Sequence, residues 1–258
     1  MKNKLKFLGI IAIVAIIGFS MASCGDNSSG DPSSPPHTHT WGATWVVFDA
    51  VGTTDGFEAK VCTQNSTHID MTGSRPGGTA GLVYTLTGTE YNVTDFTGTS
   101  ANVRIPATFR GKPVTGILGG SVGAFRNNTI ITSVIIPASV ISIGNFYGCS
   151  NLTSVIIAEG SQVTTISASA FNQCSKLESV VIPASVTSIE ANAFTVCHAL
   201  TTGKVFYGGA NSTAWGLITI TGTTNNAPVI NATRYYYSAT SNTDGSHWRY
   251  VDGVPTIW

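Results

Sequence analysis

One phrase is written three times in the middle of this chain: SVIIPASVISIGNFYGCSNL from Ser133, SVIIAEGSQVTTISASAFNQCSKL from Ser154 and SVVIPASVTSIEANAFTVCHAL from Ser179. A unit this short cannot bury its own apolar face, so it must stack on copies of itself as a solenoid. Aligned on Ile131, Leu152, Leu177 and Leu200, the copies are spaced by 21, 25 and 23 residues, a period of about 23. Within each copy L-x-x-V-x-I alternates with period 2, the signature of a strand. Val134 with Ile136, Val155 with Ile157 and Val180 with Ile182 then face the core, and Pro137 and Pro183 end their strands. A second apolar phrase (Val140 and Ile143, Val163 and Ile166, Val186 and Ile189) returns the chain across the other side. Phe146, Phe171 and Phe194 fill the interior before the next copy begins. A divergent copy precedes them at Val103–Pro106, Val114, Ile117 and Phe125, with Thr108–Pro113 as an insertion, as suits a terminal repeat.

The start of the chain reads as an export signal. Lys2, Lys4 and Lys6 precede Phe7–Phe19, a run of apolar residues and glycine, followed by small residues. The run is short for a membrane-spanning helix, which needs about 20 residues. Met21-Ala22-Ser23-Cys24 resembles a bacterial lipobox, with Met21 where Leu is usual; this implies a signal peptide over 1–23 and a lipidated Cys24. Ordinary cleavage near Ser23 is the alternative. Residues 24–36 are polar and rich in Ser and Pro, a flexible tether. Loss of residues 1–23 leaves 10 basic against 13 acidic residues, a net of −3, which argues against a nucleic-acid partner.

The repeated residues resemble the BspA-like family of leucine-rich repeat surface proteins, whose phrase is close to L-x-x-I-x-I-P-x-S-V-x-S-I-G-x-x-A-F-x-x-C. Residues 177–197 match it nearly throughout, and 131–149 match with two residues missing before Phe146. The copy at 152–174 departs most, with Ala158 in place of the proline and a two-residue insertion. VFYGGANSTAWGLITI and the segment from Arg234 to Trp258 look like the family's usual ending, so the resemblance spans 82–258. It implies a surface-attached solenoid used in adhesion or interaction with host or neighbouring cells, through proteins or glycans, with no catalytic residue and no cofactor. In leucine-rich repeats the column three residues after each Phe holds a buried Asn or Cys. Here it holds Cys149, Cys174 and Cys197, with Asn128 ahead of them, so these thiols are expected to be free, buried and apolar in behaviour.

The expected fold is thus mainly β: a leucine-rich-repeat solenoid over 81–205, a small β-rich module over 37–80 and an aromatic C-terminal repeat or cap over 206–258. Thr53–Gly56 suits a hairpin turn inside the N-terminal module. His37, His39 and His68 lack a Cys or carboxylate at ligand spacing, so no metal site is expected. Trp41, Trp45 and the aromatics Trp215, Tyr235–Tyr237, Trp248, Tyr250 and Trp258 either close the ends of the stack or present rings to sugars. No nucleophile motif, phosphate loop or HExxH is present, and Glu159, Glu178 and Glu190 fall at different repeat positions, so the chain does not read as an enzyme.

One face stands out as a candidate site. Counting four residues on from the opening apolar position gives the column Arg104, Ile135, Ile156, Val181 and Lys204, which strand alternation turns to solvent. Three apolar residues between two cations form a candidate protein-binding stripe. A carbohydrate-binding module and a self-associating envelope protein are the alternative functions.

Overall fold

The computed structural model describes residues 46–48, 57–61, 69–76, 78–118, 123–240, 242 and 244–258. The lipobox and Cys24, the tether, the three histidines, Trp41, Trp45 and Cys62 lie outside them. Two compact units are present, 1–80 and 81–258. In the first, β1 (Val46–Phe48), β2 (Phe57–Val61) and β3 (Ile69–Pro76) form an antiparallel sheet in that order.

The second unit opens with the hairpin β4 (Leu82–Thr87) and β5 (Glu90–Phe96). After β6 (Asn102–Arg104) come β7 (Thr108–Phe109) and β8 (Lys112–Ile117), a hairpin made by the TFRGKP insertion. β4, β5, β8 and β7 make a four-stranded sheet in that order. The repeats then lay down β9 (Ser133–Ile136), β10 (Ser154–Ile157), β11 (Thr165–Ile166), β12 (Ser179–Ile182), β13 (Ser188–Ile189), β14 (Lys204–Tyr207), β15 (Thr219–Ile220) and β16 (Thr233–Tyr237). A short α1 (Ser212–Trp215) and α2 (Ala227–Asn231) intervene late, and β17 (His247–Val251) and β18 (Val254–Ile257) close the chain.

β6, β9, β10, β12, β14 and β16 are parallel neighbours in one sheet. Register partners run Asn102, Ser133, Ser154, Ser179, Lys204 and Thr233, so each coil of the solenoid adds one strand. β11, β13 and β15 form a narrow parallel sheet on the opposite side, as the second apolar phrase requires. The sheet therefore continues beyond residue 205, through β14 and β16. β14 starts late because the 3-10 turn His198–Thr202 adds two residues before it.

The core is a set of columns. Val134, Val155, Val180 and Val205 are buried side by side, as are Ile136, Ile157, Ile182 and Tyr207. Phe125, Phe146, Phe171 and Phe194 stack nearly parallel, with centroids 5.0, 5.4 and 5.3 Å apart. Two residues past each Phe the backbone turns left-handed: Asn127 (φ 57°), Gly148 (φ 74°), Gln173 (φ 65°) and Val196 (φ 61°). At Gly148 a Cβ would lie 2.1 Å from the Asn127 side-chain oxygen, so a larger residue in that copy would have to displace the Asn127 side chain.

The cysteines line the same interior. Cys149, Cys174 and Cys197 are fully buried and free. Each thiol donates to the carbonyl of the Phe one coil earlier, at 3.0 Å to Phe125, 3.1 Å to Phe146 and 3.0 Å to Phe171. Burial pushes the Cys197 thiol up to about 12; bonding to Cys149, then burial, raises Cys174. Thiols held neutral and away from water are poor nucleophiles. A charged thiol reagent at pH 8 should therefore modify these three at least about 1000-fold more slowly in the native protein than in denaturant, as read by mass spectrometry. Rapid native labelling of any of them would remove them from the core. Asn128 differs from its column: half-buried, it accepts from Ile130 and Ile131 N–H in a local turn instead of bonding to a Phe carbonyl of a preceding coil.

At the far end of the Phe column a residue that the sequence did not single out takes over. Asn226 is wholly buried; its Oδ1 accepts from Phe194 N–H at 3.0 Å, and its Nδ2 donates to the carbonyls of Glu190 (3.0 Å) and Thr221 (2.7 Å). Those groups would otherwise face a missing coil.

Candidate functional site

The outward face of the parallel sheet is built by alternation. Ser133, Ile135, Ser154, Ile156, Ser179 and Val181 point away from the columns that fill the interior. Register places Arg104, Ile135 and Ile156 side by side, with Val181 next, at a strand spacing of about 4.8 Å. The next members of the column are Phe206 and Tyr235. Lys204 is not among them. It pairs with Ser179 and stands in the serine column, because the turn before β14 displaces the count from Leu200 by two. Lys204 remains exposed on the same face, beside Phe206.

The stripe is also not open along its length. Val181 is 1 % exposed and Phe206 7 %. What covers them is the chain's own C-terminus. β17 joins the free edge of β16, pairing Tyr237 with Trp248, and turns into the antiparallel β18. This hairpin folds back over the outward face. The wholly buried Trp248 meets the Phe206 ring edge-on at 5.4 Å, and its indole N–H donates to the Tyr207 carbonyl at 2.8 Å. Tyr237 donates to Glu159 at 2.9 Å, and that bond raises the Tyr237 pKa.

The hairpin's furthest contact follows from a proline. The residue after each strand donates its N–H to the last carbonyl of the strand before: Ala158 to Ile136 and Gly208 to Ile182, both at 2.8 Å. Pro183 has no N–H, so the Ile157 carbonyl is left without this partner. The Tyr250 hydroxyl, 93 residues away in sequence, donates to it. At the hairpin's base Asp244 accepts from the Ser246 N–H and hydroxyl and contacts His247 Nδ1 at 2.9 Å; the His247 contact, then the Ser246 bonds, hold its carboxyl down at about 2.

Between hairpin and sheet lies a groove of about 590 Å³. Its floor is Ile156, Val181 and Phe206, its sides Glu178 and Lys204, and its outer wall Val254 and Pro255. Arg104 and Ile135 continue past it on the open part of the face. No group of three metal-ligating side chains occurs among the described residues. The C-terminal aromatics largely serve packing: Trp215 and Trp248 are buried, and Tyr235–Tyr237, Tyr250 and Trp258 half-buried, with Arg234 over the Trp215 ring at 4.9 Å and Arg249 over Trp258 at 4.0 Å. A sugar-stacking surface on Trp215 or Trp248 is thereby ruled out.

Residues 121–208 match the family model for the BspA type leucine-rich repeat region, in six copies. Residues 121–208 belong to the BspA-type leucine-rich repeat family. Among solved structures, a leucine-rich repeat protein from Bacteroides capillosus is 31 % identical, covering 50 % of this chain and 95 % of its own, with a TM-score of 0.43. The T. pallidum leucine rich repeat protein is 26 % identical over 50 % of this chain and 62 % of its own (TM-score 0.43). A leucine rich cell surface protein from Faecalibacterium prausnitzii is 25 % identical over 68 % and 56 % (TM-score 0.42). This BspA-type chain thus spans less than two thirds of the length of two of these three. No curated protein matches it.

Proposed function

We propose that this protein is a non-catalytic, surface-exposed interaction module that binds a protein partner on the outward face of its parallel sheet. The observation that carries the reading is the occupied half of that face. Val181 and Phe206 are sealed by a strand hairpin, so this surface already accommodates polypeptide, and Ile135, Ile156 and the adjoining groove extend the same apolar strip. Membership of a family of surface solenoids and the likeness to the Faecalibacterium cell surface protein support the location. Lipid attachment at Cys24 would anchor the module to the envelope, with residues 24–36 as spacer and adhesion to host or neighbouring cells as the outcome.

The test is binding of the protein to candidate host-surface and matrix proteins by surface plasmon resonance. Ile135→Glu with Ile156→Glu should weaken the interaction by about 30-fold or more, the loss of a central apolar contact. Ile141→Glu, at a residue 57 % exposed and outside these strands, should leave it unchanged. Equal binding by both variants would remove the sheet face as the site.

A further inference from the structure

We propose that β4 is a self-association edge, through which two copies of this chain pair antiparallel about a two-fold axis centred on Tyr84. β4 is a terminal strand of its sheet, so one row of its backbone N–H and C=O groups has no strand partner among the described residues. Such edges are normally blunted by shortness, charge or proline. Among the described residues of the 81–258 unit the other edges are. β7, β11 and β15 have two residues each. β6 has three, ending in Arg104 with Pro106 beyond. β18 carries Pro255. Trp258 N–H bonds inward to the His247 carbonyl, so by alternation Pro255 turns its nitrogen, which has no hydrogen, to the open side.

β4 has none of these devices. Its six residues, LVYTLT, include no charge, no proline and no glycine, and Val83 and Leu86 are 40 % and 47 % exposed. The backbone fixes the pairing register. Thr97 N–H donates to the Gly81 carbonyl at 2.9 Å, so Gly81 turns its groups toward β5. Alternation, with the register shift at Val83/Tyr84 absorbed by β5, then turns the N–H and C=O of Leu82, Tyr84 and Leu86 to the free edge. A two-fold axis through Tyr84 sets Leu82 opposite Leu86 of the second copy and Tyr84 opposite itself, all on one face. Val83 lies opposite Thr85 on the other. Every cross-strand pair joins apolar, aromatic or β-branched residues, which favour one another, and none opposes like charges. The partner strand that best fits this edge is therefore another β4, and the contact is isologous and closed.

Two arms test this on the full chain in mild detergent. Sedimentation equilibrium should give a dimer at micromolar concentration. Val83→Lys with Leu86→Lys, both at exposed positions, should raise its dissociation constant by about 100-fold or more, whereas Leu217→Lys, at a residue 79 % exposed elsewhere, should not. The second arm reads register without weakening the edge. Val83 and Thr85 would face one another as a non-hydrogen-bonded pair, with Cα atoms about 4.5 Å apart, inside the range a disulfide spans. Val83→Cys and Thr85→Cys chains should therefore cross-link under mild oxidation when mixed, and far less when either is alone, with the unsubstituted chain as blank. A monomer, a dimer indifferent to the lysines, or a mixture that cross-links no better than the separate chains would each overturn the proposal.

Discussion

Phe171→Ala should lower the unfolding midpoint of the 81–258 unit by about 6–20 °C. The ring is fully buried and stacks on Phe146 and Phe194 at 5.4 and 5.3 Å, while its carbonyl accepts the Cys197 thiol. Removing a buried Phe side chain costs about 3–5 kcal/mol, and each kcal/mol shifts a unit of this size by about 2–4 °C. Position matters as much as size. In a solenoid each coil touches only its neighbours, so a cavity at a central coil weakens two interfaces at once. Calorimetry is the direct measurement. A shift below about 2 °C would mean that the Phe column is filler and that the strand columns alone hold the coils together.

Trp248→Ala should act on a different scale of structure. The indole contacts Phe206, Tyr237 and Tyr250 and donates to the Tyr207 carbonyl, so its loss removes the centre of the hairpin's packing. The cost is again about 3–5 kcal/mol, but it falls on β17 and β18 rather than on the coils. Amide exchange in Arg249–Val251 should accelerate by about 100-fold or more, while amides of β9 and β10 keep their protection. Val181 and Phe206 would then meet water, and an apolar dye that ignores the parent protein should bind the variant. Uniform acceleration through every coil would show that the hairpin is part of one cooperative unit with the ladder instead of a cover laid on it.

Most of the coil could be read before folding. Val134, Val155 and Val180, the Ile column and the Phe column recur at the same place in each copy, and repetition makes a period-2 signal unambiguous. The cysteines were legible for the same reason: three thiols in register cannot all be accidents. Lys204 was misplaced because counting from Leu200 assumes a constant approach to the strand, and the 3-10 turn over His198–Thr202 is longer. Only Gly203 hints at it, a glycine whose Cβ would lie 2.2 Å from the Glu178 carbonyl. The burial of Val181 was out of reach. Nothing local in the segment around Trp248 says which face that strand will cover, since the contact is made across many intervening residues. One trace was present: Pro183 withdraws an N–H from the Ile157 carbonyl, and the vacancy is filled by Tyr250. Asn226 escaped notice because it belongs to no repeated phrase, and its role exists only where the repeats stop.

That Tyr250 bond also bears on the order in which the molecule is completed. Coils of a solenoid can assemble one after another as the chain emerges, each using the one before as template. The outer surface of β12 and β14 has no such schedule. It stays wet until β17 and β18 have been made, because its cover follows every coil in the sequence. A ribosome that stops before β17, or a protease that removes this hairpin, would leave a ladder of sound coils with an adhesive flank. Quality control for this protein would thus be concentrated in the β17–β18 hairpin.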